Sequence, residues 1–487
     1  MSQESGTLVS LRYVREAAHG TTPAGVGTPV DSVAAVASGG SSGLSKFTRA
    51  SGSWVTDGFV AGQWVKTYGF TTSANNGSWR VSSVSSTDLV VEDSGDVVAD
   101  EAGDAGNFCR ILMVDLRATG RSINLEKNIL ETAEVRSDRQ KSDVRHGFNR
   151  VVGAPGFELS LASYDDLLEL LAGRAWASVT TVTGINIASD ASAKTFTRAS
   201  GSFITDGYRV GDVVRVAGFT GGDTGNNGDW TVLAVTATVL TVADPDSLMT
   251  TVGAGASRTI TYPGKRLDIG TVLSTMTLER VFAGVVKYQV FKGVAVDKMS
   301  LSVKPEAIVG GTFDLLGMIA AAMSGTPLSS VDAYPRNENT PFAAFDGRMF
   351  EGATPSLISV VTGVDLSFSN NRSLAAVVGS KTSPDVFEGQ VDLTGTLTAF
   401  FQDETLLNKF INETESKMIV KLQDPDTPTD FMTIVLPRVK YTGGMMDPPQ
   451  MGPVPLNMPF RALVQSGLAA AGGNTVASCM TIQRSNS

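Results

Sequence analysis

The chain has 487 residues, a length that suits about two to four domains. A hydrophobic fraction of 42% excludes general disorder, while 51 Gly and only 18% charged residues favour strands and turns over long helices. A net charge of -10 and a pI of about 4.9 disfavour stable nucleic-acid binding, because that affinity comes from Lys and Arg neutralising phosphates; an acidic surface still suits DNA that slides past without sticking.

The opening stretch "MSQESGTLVSLRYVREAAHG" lacks the basic-then-apolar order of a secretory signal. No run of about 18 apolar residues follows anywhere, so neither a leader nor a membrane span is expected. Residues 1–30 read as the first piece of a β domain. "KFTRASGSWVTDGF" then begins at Lys46, and "TFTRASGSFITDGY" begins at Thr195. Phe47, Asp57, Gly62, Gly69 and Phe70 recur as Phe196, Asp206, Gly211, Gly218 and Phe219. Asn76, Gly77 and Trp79 recur as Asn227, Gly228 and Trp230. Alternating apolar residues and an Asn-Gly turn signal predict a small all-β module, repeated at 31–107 and 180–262, with the shared aromatics as its core.

With both modules set aside, 1–30, 108–179 and 263–325 read as one interrupted β domain, since insertions are tolerated in surface loops. Residues 326–470 repeat its pattern. "GVDLSFSNNRSLAAVVG" answers "GRSINLEKNILETAEV", and "LTGTLTAFFQDETLLNKFI" answers "FELSLASYDDLLELLAG". Each of the second pair runs a strand into a short helix. Asp165 and Asp166 suit its N-terminus through the macrodipole, with Leu167, Leu168 and Leu171 as its apolar stripe. Tyr288, Phe291 and Val296 align with Phe431, Ile434 and Val439 in a repeated hairpin. Asp424, Asp426 and Asp430 lack the Gly and closing Glu of a calcium loop and read as a turn. Residues 471–487 read as a mobile tail. The fold class expected is therefore mainly β: a duplicated sandwich or barrel domain with short flanking helices and two inserted modules.

The stretches "LRYVREAAHGTTPAG", "YDDLLELL", "DETLLNKFINETES", "SLSVKPEAIVGGTFDLLG" and "LPRVKYTGG" resemble the major tail (tail tube) proteins of long-tailed bacteriophages. The resemblance spans most of the chain outside the modules. It implies a virion protein, assembled in the host cytoplasm, whose stacked rings form a conduit for the genome. It also implies partners: a tape-measure protein inside the tube, a terminator and tip proteins. Single-domain members form hexameric rings, so a duplicated domain implies a homotrimer with pseudo-sixfold symmetry. Alternation in 299–304 and 365–369 predicts that Ser300, Ser302, Asp365, Ser367 and Ser369 face the channel. The polar stretch 135–156 predicts a long loop reaching an adjacent ring through Arg136, Asp138, Arg139, Lys141, Asp143 and Arg145. Outward modules leave no smooth wall for a sheath, so a non-contractile tail is expected.

No enzyme is expected. His19 and His146 stand in no catalytic spacing, "GGDTGNNG" lacks the Lys of a phosphate loop, and Cys109 and Cys479 stand in no metal-ligand spacing. No cofactor or metal is called for. The competing class is a surface adhesin or carbohydrate-binding protein built of repeated β modules, which predicts a signal peptide and tandem repeats.

Overall fold

The computed structural model describes residues 6–37, 45–92, 100–183, 186–331, 333–424, 426–446, 448–469 and 475–486. It is mainly β. The first half of the framework contains β1 (Val9–Arg15), β2 (Ile123–Glu131), β3 (Val144–Gly153), β4 (Lys265–Asp268), β5 (Met276–Phe282), β6 (Lys287–Val303) and β7 (Gly310–Gly317). The second half contains β8 (Arg348–Gly352), β9 (Val361–Ser369), β10 (Asp392–Phe400), β11 (Ser416–Gln423), β12 (Phe431–Tyr441) and β13 (Pro455–Ala462). The strand β14 (Thr481–Arg484) follows.

Both halves follow one plan. β1 pairs with β5 and β5 with β6, as β8 pairs with β11 and β11 with β12. β6 then pairs with β7, β7 with β3 and β3 with β2, as β12 pairs with β13, β13 with β10 and β10 with β9. The registers correspond as well. The row Ile123, Gly153, Leu315, Val296 has its counterpart in the row Phe368, Leu393, Ala462, Val439. It ends on the same Val296 and Val439 that align in the sequence.

β6 and β12 each serve two layers. The start of β6 belongs to the β5–β6 hairpin, and its end lies in the sheet with β7. The strand bends at Gly293, whose φ of 63° favours glycine and where a Cβ would meet the Met318 sulfur at 2.5 Å. A bulge between Val296 and Lys298 follows. One core fills the space between the layers. Met299, Leu301, Leu366, Phe368, Leu397 and Phe460 point into it from one side; Leu11, Tyr13, Leu278, Val420, Ile434 and Leu436 point in from the other. Each such side chain contributes roughly 1.5–3 kcal/mol on burial.

The expected strand-to-helix segments are present as α1 (Asp165–Ala172) and α2 (Thr405–Ile411). α1 is buried all round, and Gly173 ends it in a left-handed conformation at φ 66°.

The repeated peptide builds the same device twice. One sheet has 6 strands between Val33 and Ile111; the other has 7 between Ile187 and Thr261. Their cores are separate. Phe47, Trp54, Phe59, Phe70 and Trp79 fill one, and Phe196, Phe203, Tyr208, Phe219 and Trp230 the other. Arg49 pairs with Asp57 at 2.5 Å and donates to the Ser51 carbonyl; Arg198 does the same with Asp206 and Ser200. Each guanidinium also covers an aromatic ring, Trp54 or Phe203. Gly52 and Gly201 sit in left-handed conformations at φ 75° and 80°, which favour glycine, and a Cβ at either would also meet that guanidinium. Asn76 and Asn227 clamp Phe70 and Phe219: each side-chain oxygen accepts from the Phe N–H, and each amide donates to its carbonyl. So the Asn that the turn signal marked bridges two chain segments.

Each module packs apolar side chains on a different hairpin layer, although both also touch the other half. Val14 of β1 belongs to the first module's core. Phe350 of β8, Ile419 of β11 and Val435 of β12 pack against Val210, Leu233 and Ala243 of the second. Neighbouring positions on those strands, Tyr13, Met349, Val420 and Ile434, face the central core. The modules therefore cover the outer sides of the hairpin layers.

Two expectations need correction. The stretch 135–156 is not a loop throughout: β3 occupies Val144–Gly153 and pairs with β2, with a register shift between His146 and Asn149. The arm is exposed on both faces, which removes the alternation that marks a half-buried strand. Nor is the C-terminal segment a mobile tail across its described residues. β14 lies between β4 and β12, with Ile482 in the core and Gln483 fully buried. The Gln483 side chain accepts from Val213 N–H and donates to the Val213 and Pro263 carbonyls. Residues 471–474 and 487 of that expectation lie outside the described residues.

Candidate functional site

The two halves meet through β6 and β9. Their antiparallel register runs from Lys298 opposite Ser369 to Val303 opposite Val364. Ser300 stands opposite Ser367, and Ser302 opposite Asp365. The five residues picked out by alternation, Ser300, Ser302, Asp365, Ser367 and Ser369, thus share one face of one strand pair. Ser300 and Ser367 are exposed, and the other three are half-buried. Their neighbours Met299, Leu301, Leu366 and Phe368 are buried on the opposite face. The period of 2 along each strand sends these side chains to opposite sides.

The polar face extends beyond that joint. Thr312 and Asp314 of β7 lie opposite Ser300 and Lys298. Thr394 and Thr396 of β10 lie opposite Ser367 and Asp365, and β13 adds Asn457 and Arg461. Ser302 Oγ donates to Asp365 at 2.5 Å, Ser300 and Thr312 hydroxyls are 2.9 Å apart, and Thr398 Oγ1 donates to Asn457 at 3.1 Å. Cations on this face have carboxylates beside them. Lys304 lies 3.5 Å from Asp365, Arg461 2.9 Å from Asp392 and Arg150 2.8 Å from Glu126. Partial burial raises the Asp314 pKa, and Asp297 adds to that, against the opposing pull of Lys298. Such exposed pairs stabilise by only about 0.2–1 kcal/mol each. Their main effect is to leave the face close to neutral.

The charged arm residues Arg136, Asp138, Arg139, Lys141, Asp143 and Arg145 are all exposed at or beside the hairpin tip. Arg136 pairs with Asp138 at 2.8 Å, Arg145 with Asp143 at 3.0 Å, and Lys141 with Glu131. Asp424 reads as the expected turn: its carboxylate accepts from the N–H of Asp426 and of Thr427.

Sequence reasoning missed a buried ionic lock. Asp165, Asp166 and Glu169 of α1 meet Arg15 of β1, Arg80 of the first module and Arg484 of β14. Tyr13 also donates to Asp166 at 2.9 Å. Burial opposes ionisation of Asp166, but Arg15 and Arg80 outweigh it and hold the carboxyl below its usual range. At Asp165 burial wins over Arg484 and raises the pKa. A second lock ties the other module down. Arg209 pairs with Asp268 at 2.7 Å, and Arg266 with Asp212 at 2.5 Å. The acidic pair at 165–166 was the available signal, but helix-start chemistry explains it equally well, and its arginine partners are remote in sequence.

Among the described residues, no group of three His, Cys, Asp or Glu side chains is placed to hold a metal ion. No helix among the described residues is long and apolar enough to cross a membrane. A family model described as "Phage tail tube protein" matches residues 6–462. No curated protein matches the chain.

Proposed function

Because this chain belongs to the phage tail tube protein family, we propose that it builds its tube as rings of three chains, with the polar face of the β6–β9 sheet lining the channel. The observation that carries this reading is that joint: one sheet runs through both halves, with a near-neutral polar face on one side and the shared core on the other. A wall whose cations Lys304, Arg461 and Arg150 stand beside carboxylates offers DNA few lasting phosphate contacts. Two halves of one plan fill two neighbouring positions of a ring, so three chains give six near-equivalent positions.

The chain divides in this reading into a first tube domain (1–30, 108–179 and 263–325), modules at 31–107 and 180–262, and a second tube domain at 326–470, tied down by the C-terminal strand. Apolar packing of one module on each hairpin layer, beyond the core from the polar face, supports an outer wall decorated at each of the six positions. That wall suits a non-contractile tail. The arm reaches the next ring, a tape-measure protein occupies the lumen during assembly, and terminator and tip proteins close the ends. Electron microscopy of the purified protein, with mass photometry of the same sample, tests the reading. Knobbed rings or tubes with three chains per ring are expected; rings of six chains, or a compact monomer that never assembles with tail-tip components, would overturn it.

A further inference from the structure

The joint between β6 and β9 exists once within the chain, and both of its counterpart edges are free of strand partners among the described residues. Through the matching rows, Ile123 of β2 corresponds to Phe368 of β9, since each lies opposite the equivalent residue of the next strand. Likewise Tyr441 of β12 corresponds to Met299 of β6: Met299 lies opposite Phe313, Tyr441 opposite Phe460, and these partners are equivalent. All four residues point into the core. Within the chain, Met299 pairs with Phe368.

The backbone directions fit. Thr442 N–H donates to the Pro459 carbonyl, on the near side of the pair Tyr441–Phe460, so the polar groups of Tyr441 itself point away from β13. Ala154 N–H donates to the Ser122 carbonyl beside the pair Ile123–Gly153, so those of Ile123 point away from β3. The Ile123 carbonyl accepts from the Arg280 guanidinium at 2.8 Å, and a second lone pair stays open to a strand.

We propose that, within the ring inferred above, β12 of one chain pairs antiparallel with β2 of the next in a fixed register: Tyr441 opposite Ile123, Thr442 opposite Ser122 and Lys440 opposite Asn124. Tyr441 and Ile123 exchange both backbone hydrogen bonds, as the geometry of such a pair requires. The occupant of each free edge is thus a second copy of this chain. Closure removes both edges, which otherwise invite uncontrolled pairing. It also continues the polar face, because exposed Thr442 and Ser122 take the places of Ser300 and Ser367.

The register predicts close pairs, with Cα atoms about 4.5 Å apart at 442/122 and 440/124, within disulfide range. The experiment mixes a Ser122→Cys chain with a Thr442→Cys chain, assembles and oxidises them, and counts covalent dimers on a denaturing gel. Asn124→Cys with Lys440→Cys repeats the test at a second pair should either first variant fold poorly. Ser122→Cys with Lys440→Cys, two residues out of register, is the control. Strong dimer formation at the in-register pairs, with at least a tenfold weaker control, is expected. Assemblies that form but crosslink only in the control, or at no pair, would overturn the register and leave the tube reading standing. Folded variants and parent alike that form no ring would overturn the tube reading itself.

Discussion

Lys421 carries its amine into the protein with only 6% of its surface exposed, its Nζ 5.6 Å from the centre of the Phe431 ring. Burial lowers its pKa to about 8, and the nearby Asp229 only partly opposes that. Folding therefore shifts the balance toward the neutral amine relative to the unfolded chain. At pH 7 both folded and unfolded chains bind the proton, so the fold bears the cost of a buried charge. Between about pH 8 and the unfolded value near 10.5, only the unfolded chain still binds it, and stability rises with pH. Lys421→Met is expected to stabilise the protein at pH 7 by about 2–3 kcal/mol and to flatten that alkaline rise. Denaturant melts at pH 7 and pH 10 check both; an unchanged midpoint at pH 7 would show that water reaches the amine. At Asp166 the fold favours the charged form instead, and stability again rises with pH, in the acid range. Its depressed pKa contributes stability above the unfolded carboxylate range, and that stability is lost as pH falls through the folded value.

At the scale of an element, the β2–β3 arm and β14 behave differently from their polar sequences. The arm is a hairpin with little core: Ile129, Leu130, Val135 and Val144 are at least half exposed, and its ion pairs Arg136–Asp138 and Arg145–Asp143 are internal to it. An element with so few buried contacts adds little to the stability of the lone chain. Replacing residues 134–143 by a short turn is therefore expected to shift the melting temperature by less than about 2 °C while shortening or abolishing tubes. Tubes of normal length would remove the arm from ring stacking. The second half has no matching arm. Its 370–390 segment folds back over α1, where the buried Arg372 donates to the Leu170 and Val296 carbonyls. β14, by contrast, is a fastening, since it pairs with a strand of each half and its Gln483 holds the second module.

At the scale of the whole molecule, the near-neutral polar face is the surface that DNA passes in the proposed tube. Ser300→Lys with Ser367→Lys adds unpaired cations at the β6–β9 joint, repeated in every chain of a ring. Tubes should still form, because both positions are exposed and lie off the core. Genome release should slow several-fold, with the delay relieved by added salt, since phosphate contacts are screened. Ejection timed by dye uptake in phage carrying the variant checks this; unchanged kinetics would place the face away from the channel.

The sequence by itself determined the β class, the repeated peptide, both short helices and the alternation that sets Ser300, Ser302, Asp365, Ser367 and Ser369 on one face. These follow from local rules: side chains alternate along a strand, and the Arg49–Asp57 and Arg198–Asp206 clamps close over a few residues. Only the tertiary structure decided that β6 pairs with β9, that the two modules pack on different hairpin layers, and that Arg15, Arg80 and Arg484 converge on α1. Those contacts join residues 60 to several hundred positions apart. A polar segment such as 475–486 looks mobile until its Gln and Arg find buried partners, and no local pattern encodes where those partners lie.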